Sequence, residues 1–177
     1  MYQTALRRTQ SGMSLLETLI ALAILLIASA GIMTMAVVSM STTEDQGHLL
    51  ARAAEYAQDK MEQLISLSYG DISTDTTVFP ASNSGGTGLA IGGSSDPSAP
   101  TTSYVDYLDR SGNPLTLGVG GAAPAAWFYI RVWQISTPAG TTNLKQMTVS
   151  AKVRSTIGKP AGALPQATVV SMKTNPF

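Results

Sequence analysis

Glu17 is the side chain with the strongest chemical implication, a lone carboxylate at the start of an otherwise uncharged run over residues 18–40. Two arginines, Arg7 and Arg8, stand just upstream. A carboxylate beside so long an apolar run costs free energy in hydrocarbon unless a cation pairs with it. The chemistry implied is therefore ion pairing away from water. Covalent catalysis has few candidates. The chain has one histidine, His48, and no cysteine, so neither a thiolate nucleophile nor a zinc cluster can be assembled. His48 reads as a surface residue. Gly86-Thr87-Gly88 lies in a loop-like stretch, and Gly158-Lys159 runs into Pro160, so neither makes a phosphate-binding loop. Asp106, Asp109 and Asn113 lack the spacing of a calcium loop. Trp127, Phe128, Tyr129 and Trp133 could stack on bases or sugars, but at strand spacing they read as core and subunit-contact residues. The expectation is a non-enzyme with no catalytic residue, metal or cofactor.

The element that must position Glu17 is the apolar run. Its roughly 23 residues span about 35 Å as a helix. A hydrocarbon core is about 30 Å thick, so the helix can cross it with some tilt. Only Ser29, Gly31, Thr34 and Ser39 interrupt the Leu, Ile, Ala, Val and Met. Arg7 and Arg8 should stay cytoplasmic, which sends the rest of the chain across the membrane. A secretory signal cut after Ala28-Ser29-Ala30 is the competing scheme and would release a soluble domain starting at Gly31. Against it, Glu17 sits between the basic start and the apolar core. The apolar character also continues past the cut, through Ile32, Met33, Met35, Val37 and Val38. The Arg7-Arg8 pair matches a twin-arginine signal poorly, because Thr9-Gln10 follow it.

Ser11-Gly12-Met13-Ser14-Leu15-Leu16-Glu17, with a short basic leader and the apolar helix, resembles the type III signal of type IV pilins and type II secretion pseudopilins. The resemblance implies that prepilin peptidase cuts between Gly12 and Met13 and methylates the new amine of Met13. It also implies that Glu17 neutralises the Met13 amine of a neighbouring subunit during filament assembly, a pairing that selects axial register. Most members carry Phe where this chain has Met13. Many major pilins carry a mid-helix proline where Thr34 stands here, which points to a minor pilin. The stretch from Ala51 to Leu64 resembles the helix of V-type minor pilins of type IV pili and, closely related, of I-type pseudopilins. Such proteins imply a place at or near the filament tip. The presence of Glu17 argues against the tip-most pseudopilin type, which lacks that carboxylate. The partners implied are prepilin peptidase, other pilins or pseudopilins, the inner-membrane assembly platform and membrane lipid. The localisation implied is a single pass of the inner membrane with a periplasmic C-terminal domain, then the filament.

The chain has 177 residues, room for one modest domain beyond the membrane helix. Without cysteine, the C-terminal disulfide loop of many major pilins is impossible. Formal net charge is zero but segregated. Between Met13 and Asp109 the only basic residues are Arg52 and Lys60. After Asp109 there is no acid at all, while Arg110, Arg131, Lys145, Lys152, Arg154, Lys159 and Lys173 follow. One reading is that the basic part faces the acidic helix and loop, within or between subunits. The other is a basic face for nucleic acid or another anionic polymer.

The spacing predicts that the helix continues. Leu50, Ala53, Ala54, Ala57, Met61, Leu64 and Ile65 form one apolar stripe, and Gly70 offers a left-handed stop. Ser41-Thr42-Thr43-Glu44 reads like an N-cap and Gly47 weakens a helix, so residues 41–47 are an expected weak point. Residues 70–103 read as a Ser/Gly-rich surface loop with one short strand near Thr77 to Phe79. Strands are expected at 104–108 and 115–119 as a hairpin, at 127–135 as a central strand, at 146–153 half-buried, and at 167–172. The fold class is α+β: a long N-terminal helix packed on a small antiparallel sheet. The expected organisation is a leader at 1–12, an assembly helix at 13–40, an amphipathic helix at 41–69, the loop at 70–103 and the sheet at 104–177.

Overall fold

The computed structural model describes residues 14–77, 85–118, 121–154 and 164–175. The chain divides into two compact units, Met1–Glu44 and Asp45–Phe177. Helix α1, Leu15–Ser66, contributes to both.

In the first unit α1 starts at Ser14, whose Oγ accepts the Glu17 N–H at 3.2 Å and so caps the first turn. From there the large apolar side chains are all exposed, from 53% at Ile20 to 79% at Leu15. This stretch is long and apolar enough to cross a membrane. Its hydroxyls bond back into the helix: Ser29 Oγ to the Leu26 carbonyl at 3.0 Å, and Thr34 Oγ1 to the Gly31 carbonyl at 2.8 Å. That arrangement suits a lipid environment, where polar groups must be satisfied internally. The expected weak point at 41–47 is absent as a break, because α1 runs through it. Ser41 and Thr43 do not cap. Their hydroxyls donate to the Val38 and Ser39 carbonyls of the preceding turn.

In the second unit the remainder of α1 lies on one face of a six-stranded sheet. The strands are β1 (Gly92–Gly93), β2 (Val105–Leu108), β3 (Pro114–Leu115), β4 (Tyr129–Ser136), β5 (Leu144–Val153) and β6 (Gln166–Thr174). Their order is β3-β2-β4-β5-β6, with β1 also pairing β4, and every pairing is antiparallel. Trp133, Ile135, Met147, Val149 and Ala151 meet Ala53, Ala57, Met61, Leu64 and Leu67 in the main core. Full burial of each large side chain there contributes about 1.5–3 kcal/mol. Strand β4 is buried along nearly its whole length, as a central strand apolar on both faces must be.

Several expectations need correction. The stripe is rotated slightly, so Leu50 and Ile65 are exposed while Leu49, Tyr56, Lys60 and Leu67 are buried. The helix ends at Ser66, and Gly70 does not adopt a left-handed conformation. Lysines from the sheet hold the helix end and the residues just after it: Lys173 Nζ donates to the Ile65 carbonyl in the last turn and to Leu67 beyond it, and Lys145 Nζ donates to Tyr69 at 2.7 Å. The expected strand near Thr77 to Phe79 lies partly outside the described residues, and Thr77 itself is in a turn. The loop's strand is β1, where Gly93 (φ +84°) brings its backbone against the Trp133 carbonyl too closely for any Cβ. The hairpin forms, but its second arm is only Pro114–Leu115. The chain then leaves the ladder, so that Leu115, Leu117 and Trp127 cover Val105, Tyr107, Ile130 and Val132 on the outer face.

Candidate functional site

Glu17 lies in the first turn of α1, where a negative charge complements the helix dipole. Ser14, Leu16, Glu17, Ile20, Ala21 and Ile24 line a shallow groove along that face. Residues 14–44 contain no lysine, arginine or histidine, so the described part of this unit supplies no cation for Glu17. Gly12 and Met13, where cleavage and methylation are expected, lie outside the described residues, as do Arg7 and Arg8.

The second unit holds a buried ion network that the sequence reading does not anticipate. Asp106 on β2 stands opposite Arg131 on β4. Arg131 Nε and Nη2 each donate to the Asp106 carboxylate at 2.8 Å, a two-pronged pair. Lys60, from α1, places Nζ 2.7 Å from Asp106 Oδ2 and donates to the Thr76 carbonyl at 2.7 Å. Its ammonium also lies 4.9 Å from the centroid of the Trp133 ring. Arg131 Nη1 reaches Asp59 on α1 at 2.8 Å. Lys60, Asp106 and Arg131 are all buried, while Asp59 is largely exposed. Burial alone would raise the Asp106 pKa, but the charges of Lys60 and Arg131 hold it below the ordinary carboxylate value. Burial also acts on Lys60 and pulls its pKa down against the attraction of Asp106. Arg131 is desolvated as well, yet Asp106 and Asp59 raise it above its usual value. Two cations meet two carboxylates, which ties helix to sheet.

A sequence signal for this network exists. Lys60 falls on the stripe formed by Ala53, Ala57 and Leu64, and Asp106 and Arg131 each interrupt a strand with apolar neighbours on both sides. A charge at such positions must be paired.

Several other basic residues among those described also turn into their own fold. Lys145 Nζ bonds the Leu89 carbonyl at 2.8 Å as well as Tyr69. Arg154 donates to the Ala125 and Trp127 carbonyls and lies over the Trp127 ring. Arg110 lies over Phe128. The Arg131–Asp59 pair joins the basic part to the acidic helix within one subunit. Trp133, Tyr129 and Phe128 are core residues, and Trp127 is half-buried beside Tyr107. His48 is exposed on α1. Asp109 serves the hairpin turn, its Oδ1 accepting the Ser111 and Asn113 N–H groups at 2.8 and 2.9 Å.

A family model described as the prokaryotic N-terminal methylation motif matches residues 7–33. No curated protein and no solved structure matches the chain. The motif, the long N-terminal helix and the antiparallel sheet together fit a type IV pilin-like protein. The motif supports a pilin- or pseudopilin-class substrate of prepilin peptidase, implies assembly with other pilins and points to a structural rather than an enzymatic protein. With the apolar helix it suggests anchoring in the inner membrane.

Proposed function

We propose that this chain is a minor pilin-like subunit of a type IV pilus, with an I-type pseudopilin of a type II secretion system as the same role in a sister machine. In this reading residues 1–12 are a cytoplasmic leader removed between Gly12 and Met13, and the new Met13 amine is methylated. Residues 13–40 then hold the subunit in the inner membrane, with the sheet domain in the periplasm, until the assembly platform inserts it into the filament. Glu17 neutralises the Met13 amine of a neighbour, turning two charges that are expensive in lipid into one pair. The observation that carries the reading is the methylation motif over residues 7–33 with Glu17 at the mouth of an apolar stretch, residues 14–44, that supplies no cation. The exposed apolar side chains of α1 support it, since they need lipid or neighbouring helices as cover. The inward use of Arg131, Lys145, Arg154 and Lys173 favours a structural role over nucleic-acid binding. Mass spectrometry of the mature N-terminus tests the proposal. A methylated Met13 is the expected result, and a chain starting at Gly31 overturns it.

A further inference from the structure

Helix α1 passes from the first unit to the second within residues 41–48, the division falling between Glu44 and Asp45. The run of large exposed apolar side chains ends at Met40, and the first buried residue of α1 beyond it, among those described, is Leu49. Ser41, Thr43, Glu44, Asp45, Gly47 and His48 are exposed, and Gln46 is half-buried. No residue from Ser41 to His48 carries an apolar side chain, so the stretch has no apolar face to pack. Helices in proteins draw most of their stability from such a face. Backbone propensity therefore decides here, and it is poor. Ser, Thr, Asp and His rank low as helix formers, and Gly47 ranks below all but proline. The Ser41 and Thr43 hydroxyls also donate to carbonyls of the preceding turn, at 3.1 and 3.0 Å, a contact that weakens and bends a helix.

We propose that residues 41–48 form an extensible joint in α1, which opens and recloses locally while the turns on both sides stay helical. These eight residues measure about 12 Å as a helix and about 26–29 Å when extended, so opening lengthens α1 by about 15 Å. The later part of α1 resists the same change, because Ala53, Ala57, Met61, Leu64 and Leu67 are packed into the sheet core. A load along α1 is therefore taken up at 41–48 before that core is disturbed. Gly47 sets the ease of opening. Nothing lies within 4 Å of where its Cβ would be, and its φ is not in the left-handed region. Neither space nor backbone conformation calls for glycine there, and its effect is to keep the helix weak. The joint goes beyond the filament-subunit reading and does not depend on it, since its terms are internal to α1.

The chain has no cysteine, so spin labels can be placed without background. Met40→Cys and Gln58→Cys, both at exposed positions, are 18 residues apart, which is five full turns and one face of the helix. An unbroken α1 holds such labels at a single distance of about 27 Å. The test compares the labelled full-length chain in detergent with the same chain carrying Thr43→Ala and Gly47→Ala. A broad spread of distances is expected without the alanines, collapsing to about 27 Å with them. Hydrogen exchange of the unlabelled proteins is the second readout. Amides of residues 43–50 are expected to exchange at least about tenfold faster than those of 53–64, and the two alanines to slow them about tenfold. A single distance near 27 Å without the alanines overturns the joint, as does exchange at 43–50 no faster than at 53–64. A spread that the alanines leave unchanged overturns it too. Flotation with vesicles containing phosphatidylglycerol tests the membrane anchor separately. A chain that fails to float overturns that anchor and leaves the joint standing, because both labels lie on α1.

Discussion

Lys60 Nζ and Asp106 Oδ2 are 2.7 Å apart inside the second unit, each almost wholly removed from solvent. One belongs to the helix and the other to the sheet, so their contact fixes which turn of α1 faces which strand. Arg131 completes the arrangement from the next strand.

Removing one member leaves an uncompensated buried charge. Asp106→Ala is expected to destabilise the domain by about 3–5 kcal/mol, whereas replacing Lys60, Asp106 and Arg131 together by apolar residues of similar volume is far milder. Denaturant titrations of the two variants in detergent decide it. Equal losses in both would contradict the account.

The same network sets the acid response. Asp106 has a lowered pKa in the folded state, because Lys60 and Arg131 outweigh its desolvation. Its contribution is therefore fully present above the unfolded carboxylate value of about 3.9 and is lost as pH falls through the lowered folded value. Lys60 has linkage of the same sign. Its lowered pKa means the unfolded chain holds that proton more tightly, so Lys60 adds no loss on the alkaline side. Melting temperature is expected to fall on the acid side and much less so in Asp106→Asn, which is weaker to begin with. A parallel acid limb in both proteins would assign the effect elsewhere.

Gly112 and Gly93 are both required by geometry. Gly112 (φ +90°) lies in the hairpin turn where an added Cβ would come within 2.4 Å of the Tyr56 hydroxyl. At Gly93 the clash is with the backbone of Trp133. Each Gly→Ala change is expected to cost roughly 1–3 kcal/mol. The Gly93 change is the more severe, because a carbonyl cannot swing aside as a phenol can. Gly140 (φ +79°) has open space around it and serves as the comparison, losing only the backbone term.

Glu17→Ala removes the one carboxylate of the apolar helix while leaving the Ser14 cap on the Glu17 backbone N–H in place. Cleavage and membrane insertion are expected to persist while the amount recovered in sheared filaments drops at least several-fold, on the order of 1 kcal/mol or more of lost pairing. Filament recovery equal to wild type would remove the pairing argument.

The parts legible in the sequence are those governed by periodicity. Residues 127–135 are apolar on both faces, and β4 is central and buried. Met147, Val149, Ala151 and Val153 alternate with polar neighbours, and the odd set forms the core. The Lys60 network escapes because counting apolar side chains passes over a lysine that occupies a stripe position, and its partners come from residues 106 and 131. The helix end escapes for a similar reason. The last turn is held by Lys173, far away in sequence, whereas the neighbouring residues offer only Gly70. At the N-terminal site, residue type and spacing single out Glu17, and residues 14–44 hold no cation to pair with it.

Those distant lysines have a mechanical consequence. Lys173 grips the terminus of α1 from β6, and Lys145 holds Tyr69 just beyond it from β5, ahead of the long connection at 70–103. Tension drawn along the helix is thus handed to the two broadest strands rather than to the loop. Under a pulling force, Lys173→Met should let the helix peel away at visibly lower load in single-molecule extension, while melting in quiescent solution changes little.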